Sequence, residues 1–139
     1  MSIQKLKLES HTLHPILVNQ WMTPDGTILR SRHRHDHVSH ADKNGKLYFV
    51  DGGTSYFRYS LQDPPLVFCG CHTNDLHSVI REIFDWGSYG ISGGMPLQYI
   101  ILKDMTEDHI CAILRTQGHI VGTPVEKVLL DELEYRKGI

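Results

Sequence analysis

Asp42-Lys43-Asn44-Gly45-Lys46-Leu47-Tyr48-Phe49-Val50-Asp51-Gly52-Gly53 is the stretch that decides the fold class. Asn44-Gly45 tolerates the positive φ angles of a tight hairpin turn. The apolar and aromatic run that follows favours an extended chain, so Lys46–Val50 is predicted as a strand. Asp51-Gly52-Gly53 then reads as a second tight turn, and Thr54–Tyr59, rich in β-branched and aromatic residues, as the next strand. Working towards the N-terminus, His35–Ser39 and Thr27–Arg30 are predicted as short strands. Pro24-Asp25-Gly26 is a turn and Pro15–Trp21 a longer strand. Towards the C-terminus, Asp63-Pro64-Pro65 breaks the pattern and Leu66–Cys69 is a short apolar piece.

The second half changes period. Asn74 is expected to cap a helix over Asp75–Phe84, in which Leu76, Val79, Ile80 and Ile83 share a face. Trp86–Gly94 holds four glycines and is read as irregular, and Leu97–Leu102 as a strand. Thr106 is expected to cap Glu107–Thr116, with acids in its first turn and Ile110, Ile113 and Leu114 on its core face. Thr123-Pro124-Val125-Glu126 reads as a capping box with Pro at the first helical position, opening a last helix that runs to about Tyr135. The stripes Ile110–Leu114 and Val128–Leu133 are assigned to the core, and Arg136 is expected to be an inert residue at the helix end. The fold class is therefore α+β: a single domain over residues 1–139, β-rich from 14 to 70 and mixed or helical from 74 to 137.

Composition narrows the function. A chain of 139 residues with 40% hydrophobic and 22% charged residues suits one globular domain rather than a disordered segment. Lys and Arg number 14 against 16 Asp and Glu, so nucleic-acid backbone binding is disfavoured, although ten histidines can add positive charge in mild acid. Cys69, Cys71 and Cys111 are an odd, small set, which points to free thiols in a reducing cytoplasm. Residues 1–10 carry no signal-like apolar run, and no stretch approaches the ~20 apolar residues of a membrane span.

One polar constellation stands out. Ser31-Arg32-His33-Arg34-His35-Asp36-His37-Val38-Ser39-His40 holds four histidines, two arginines and a carboxylate, and Asp51-Gly52-Gly53, Tyr56 and Arg58 follow soon after. The Asn44-Gly45 turn would fold the second block back towards His35 and Asp36. Guanidinium forks, a hydroxyl and glycine amides are what a phosphate requires. Arg32, Arg34, His35, Asp36, Asp51, Gly52, Gly53, Tyr56 and Arg58 are therefore candidate ligand-binding residues. The bland alternative is an exposed basic hairpin in which Asp36 pairs with an arginine and the glycines only turn the chain. Truncating Arg58 is expected to weaken binding and spare the fold.

A metal reading competes with this. Were residues 33–37 a strand, His33, His35 and His37 would share one face and could hold zinc. The run resembles the His-x-His-x-Asp-His motif of metallo-β-lactamase-fold hydrolases with one spacer missing, in a chain too short for that fold. The His-Asp pair also resembles that of the helical HD phosphohydrolases, without their further ligands. Cys69-Gly70-Cys71-His72 lacks the spacing of a zinc knuckle and nothing marks it as a nucleophile. Trp86 and Tyr89, among glycines, are candidates for a stacking surface under a base or sugar, or for a loop pinned to the core. No P-loop, Rossmann or nucleophile-elbow pattern occurs.

The His35-Asp36, Val50-Asp51-Gly52-Gly53 and Tyr56-Phe57-Arg58 elements resemble those of a group of small bacteriophage proteins. Later segments, including Asp85-Trp86-Gly87 and Asp104-Met105 followed by His109-Ile110, resemble the same group, so the likeness covers roughly residues 20–136. Some relatives carry a zinc-ribbon-like core where this chain has Met22, Asp25 and His40-Ala41-Asp42, so the resemblance implies no structural zinc here. It implies a phage accessory protein in the host cytoplasm. Three classes of function follow. The first is a non-enzymatic protein that sequesters a small phosphorylated ligand such as a nucleotide immune messenger, needs no cofactor, and could assemble as a homo-oligomer. The second is a small metal-assisted phosphodiesterase using His33, His35, Asp36 and His37. The third is a protein–protein inhibitor of a host factor.

Overall fold

A computed structural model of the chain describes residues 15–90 and 93–138. The chain is α+β, with β-hairpin sheets in its N-terminal half and helices in its C-terminal half. It divides into two compact units, residues 1–74 and 75–139. The division falls where the sequence reading places the change from β-rich to helical.

The first unit is built from short antiparallel strands. β1 (Ile16–Met22) is central to one sheet. β2 (Ile28–Ser31) pairs along one side of it, with Trp21 opposite Leu29. On its other side β6 (Val67–Phe68) pairs with Trp21 and Met22, and β7 (Cys71–His72) with Ile16 and Val18. Gly70 joins β6 to β7, and a Cβ there would sit 1.9 Å from the Val18 carbonyl oxygen, so the close crossing against β1 admits only glycine. The second sheet runs β3 (Val38–Ala41), β4 (Leu47–Asp51) and β5 (Arg58–Tyr59). The Asp42–Gly45 turn forms as expected: the Gly45 N–H donates to the Asp42 carbonyl at 2.9 Å and the Asp42 carboxylate takes the Asn44 and Lys46 N–H groups.

Buried residues of both sheets meet in one cluster of Trp21, Leu29, Tyr48, Val50 and Leu66. Tyr59 stacks on the Trp21 ring with centroids 4.1 Å apart, and Phe68 meets it edge-on. Full burial of each large apolar side chain is worth about 1.5–3 kcal/mol, so this cluster is the main adhesive between the sheets.

Two predicted strands are shorter than expected. Residues 32–37 form a turn, and the third strand begins only at Val38. Residues 52–56 also turn, because the Ser55 and Tyr56 N–H groups both donate to the Gly52 carbonyl, leaving Arg58–Tyr59 as the strand.

In the second unit, α1 (His77–Ile83) starts after Leu76 with no side-chain cap, so Asn74 does not cap it. β8 (Asp85–Ser88) and β9 (Gln98–Ile101) form a two-stranded ribbon, which corrects the irregular reading of residues 86–88. A single 3-10 turn at Leu102–Asp104 leads to α2 (Glu107–Thr116), whose first turn is capped by the Thr106 hydroxyl accepting the His109 N–H at 3.1 Å. α3 (Pro124–Lys137) has Pro in its first turn, but the expected capping box does not form: Glu126 accepts the Gly122 N–H, and the Thr123 N–H and hydroxyl both donate to the Ile120 carbonyl. Ile80, Phe84, Leu102, Met105, Ile110, Ile113, Ile120, Val128 and Leu129 are buried, so the two apolar stripes of α2 and α3 do supply core residues.

Candidate functional site

The polar constellation begins with a self-contained turn. The Asp36 carboxylate accepts the Arg32 N–H at 2.8 Å, and the Asp36 N–H donates to the His33 carbonyl. These bonds fold residues 32–36 back on themselves and compete with a strand. The Ser31 hydroxyl donates to the Asp36 carbonyl at 2.7 Å and accepts the Gly53 N–H at 2.8 Å, which stitches this turn to the one at 51–53. Gly53 has φ +54°, and a Cβ there would lie 2.6–2.9 Å from the His33 main chain, so the two turns touch through glycine.

Asn19 anchors both turns from β1. It is buried, its amide donates to the Asp51 and Gly53 carbonyls at 3.3 and 2.8 Å, and its oxygen accepts from Trp21 Nε1 at 2.8 Å. Neither Asn19 nor Ser31 was singled out from the sequence. Their partners in the 51–53 turn lie 22 to 34 residues away, so no local pattern marks these links.

Asp51 is the centre of the site. It is buried at the end of β4 and faces Arg58 on β5 as its register partner. Arg58 grips it with two prongs, Nε on Oδ1 at 2.9 Å and Nη2 on Oδ2 at 2.8 Å. The His37 Nδ1 adds a third contact to Oδ2 at 2.9 Å. The Arg58 hydrogen bond, helped by His37, holds the Asp51 carboxyl below its ordinary range against the opposing effect of burial. Asp51 in turn pushes Arg58 upward. Arg58 thus neutralises a buried carboxylate, and its truncation would not spare the fold as expected.

The outer layer is cationic. Tyr56 is 43% exposed and its hydroxyl donates to the Arg34 carbonyl at 2.7 Å. The guanidinium carbons of Arg34 and Arg58 each lie 5.8 Å from its ring centroid. Such contacts are worth about 0.5–1 kcal/mol apiece at exposed sites, enough to bias two arginines towards one ring. Arg32, His33 and His35 are exposed on the adjoining turn.

The structure therefore sorts the predicted residues. Arg34, Tyr56 and Arg58 come together, with Asp51 beneath them. Asp36 and Gly53 are used internally: the carboxylate caps a turn rather than pairing with an arginine, and the Gly53 amide already has an acceptor. Gly52 serves the turn through its carbonyl. Trp86 and Tyr89 lie in the second unit, Trp86 half-buried opposite Ile100 in the ribbon and Tyr89 exposed just after it. His33, His35 and His37 are not on one face of a strand, and among the described residues no three His, Cys, Asp or Glu side chains are grouped so as to hold a metal ion. No helix among the described residues is long and apolar enough to cross a membrane.

Two further polar clusters escaped the sequence reading. In the first unit His40 Nε2 lies 2.8 Å from the Asp25 carboxylate and 3.2 Å from the Thr27 hydroxyl, while Thr23 donates to the other oxygen; Thr23, then His40, hold the Asp25 carboxyl well below its ordinary range. In the second, Glu132 of α3 is fully buried. Arg81 grips both its oxygens at 2.9 Å, His77 Nε2 contacts Oε1 at 2.9 Å, and Arg136 Nε contacts Oε2 at 2.7 Å. Arg136 Nη2 also donates to the Leu102 and Met105 carbonyls, so this residue is a structural tie and not an inert end.

Comparison of the chain with protein-family models, with curated proteins and with solved structures finds no match.

Proposed function

We propose that the first unit binds a small phosphorylated ligand, a nucleotide being the simplest, at the Arg34–Tyr56–Arg58 surface. One observation carries this reading. Both carboxylates of the segment are consumed internally, Asp36 by a backbone N–H and Asp51 by Arg58 and His37, while Arg34 and Arg58 converge on one exposed ring. Arg58 spends Nε and Nη2 on Asp51, so its Nη1 edge and the Arg34 guanidinium are the donors a phosphate would meet. Charge-assisted hydrogen bonds of this kind contribute about 1.5–3 kcal/mol each. In the setting that the phage resemblance implies, such a protein would sequester a nucleotide messenger.

Calorimetric titration with inorganic phosphate and with mono- and cyclic nucleotides tests the reading. Arg34→Ala is the informative variant, because among the described residues Arg34 makes no ion pair. It should weaken binding about 10-fold or more, from one lost charge-assisted bond, and leave the melting temperature in place. Absence of binding by the wild type at millimolar phosphate or nucleotide would refute the reading.

A further inference from the structure

We propose that His37 is a general base at this same surface, acting on a phosphodiester that carries a hydroxyl next to its phosphorus, as a ribonucleotide does. The inference rests on the phosphate-binding reading above and adds turnover to it.

The argument starts from the tautomer. Asp51 is buried and its carboxyl is held ionised by Arg58, so its Oδ2 is an acceptor only. His37 Nδ1, 2.9 Å away, must then be the donor, so in the neutral imidazole the lone pair is on Nε2. Nε2 has no hydrogen-bond partner among the described residues, and the His37 side chain is 57% exposed, so a ligand can reach it. The ring is steadied on a second side by Phe49, stacked at 5.2 Å and 22°. A buried carboxylate that fixes an imidazole by its Nδ1–H and leaves Nε2 open is the arrangement by which a histidine is made a positioned base. Here the acid is buried and the imidazole is open to solvent.

Arg58 supplies the second half. Its Nη2 and His37 Nδ1 converge on one oxygen of Asp51, so the guanidinium and the imidazole are neighbours on the same carboxylate. The charged groups facing His37 are thus Asp51 from β4 and Arg58 from β5. Attack by a neighbouring hydroxyl is the phosphoryl transfer that asks least of a protein, because the nucleophile is already tethered. His37 Nε2 takes the hydroxyl proton, the new O–P bond forms, and the bond from phosphorus to the leaving oxygen breaks. The leaving oxygen takes a proton from water, and the imidazolium returns its proton to solvent. A cyclic phosphate and an alcohol result, with no change in oxidation state.

The test uses hydroxypropyl nitrophenyl phosphate, which releases a coloured nitrophenolate, with EDTA present. Wild type should accelerate release, and His37→Gln should lose roughly 100-fold, the usual contribution of a general base, while still binding inorganic phosphate. The rising limb of the pH–rate profile should disappear with it, and the analogue lacking the hydroxyl should not react. If His37→Gln fails to fold, His37→Asn, whose amide can still donate to Asp51, takes its place. Wild type that binds phosphate but shows only the buffer rate overturns this inference and leaves the binding reading standing. A variant that binds and keeps the wild-type rate, or equal turnover of the analogue, also overturns it. Failure to bind phosphate at all overturns the reading beneath it and the inference with it.

Discussion

Glu132→Gln changes one charge in the interior of the second unit and keeps the shape of the side chain. In the wild type, burial works against ionisation of Glu132, but hydrogen bonds from Arg81, Arg136 and His77 outweigh it and hold the carboxyl at about 2 instead of 4.5. At about 1.4 kcal/mol per tenfold change in proton affinity, that difference corresponds to about 3 kcal/mol of folding stability at neutral pH. Glutamine would leave two guanidiniums without a counter-charge and turn an amide N–H towards donors. The loss should therefore be about 3 kcal/mol, or ~10 °C in Tm for a chain of this size. The sign with pH follows from the lowered folded value. Glu132 contributes its full stabilisation above about pH 4.5 and loses it as the pH falls towards about 2. Urea unfolding followed by circular dichroism, at intervals from pH 7 to pH 2, should show a gap between wild type and Glu132→Gln that closes in acid. A gap below ~0.5 kcal/mol at pH 7, or one that stays constant into acid, would refute the reasoning.

Arg136→Ala should destabilise by about 2 kcal/mol, since it removes one partner of Glu132 and uncaps the Leu102 and Met105 carbonyls; a Tm equal to wild type would contradict this. Asn19→Ala should cost about 2–3 kcal/mol by removing the buried bonds that Asn19 makes to Trp21 and to the Asp51 and Gly53 carbonyls, read as a shifted urea midpoint with unchanged slope. Gly70→Ala should abolish folding of the first unit, because the added methyl falls on the Val18 carbonyl; a wild-type near-ultraviolet spectrum would show the crossing to be looser than described. Dithiothreitol should leave Tm unchanged, since Cys69, Cys71 and Cys111 are all free thiols.

Local chemistry was legible where the partner lies within a few residues. Asn44-Gly45 and the Thr106 cap could be read because turn and cap need only their own neighbours. The strands predicted over His35–Ser39 and Thr54–Tyr59 were cut short by side-chain and carbonyl bonds, those of Asp36 and Gly52, that favour turns over ladders. Asp51 and Arg58 read in the sequence as candidate phosphate ligands; that they face each other on adjacent strands depends on register, which composition does not reveal. Glu132 was absorbed into an apolar stripe. Its spacing from Val128, Leu129 and Arg136 does place an acid on the core face with a base one turn later, and that signal was available in the sequence.

The position of β1 also governs the order in which the first unit can assemble. Its partners arrive at very different times: residue 22 meets residue 28 across a short hairpin, whereas residue 16 must wait for residue 72. The β1–β2 and β3–β4 hairpins are local and quick to close, but β6 and β7 join β1 only after the whole intervening chain has been drawn into a loop. Until then one long edge of β1, including Ile16 and Val18, stays open to any other strand. During synthesis or refolding at high concentration, that edge is where a second nascent chain would pair in place of β7, so the yield of native protein should fall with concentration long before the finished molecule shows any tendency to associate.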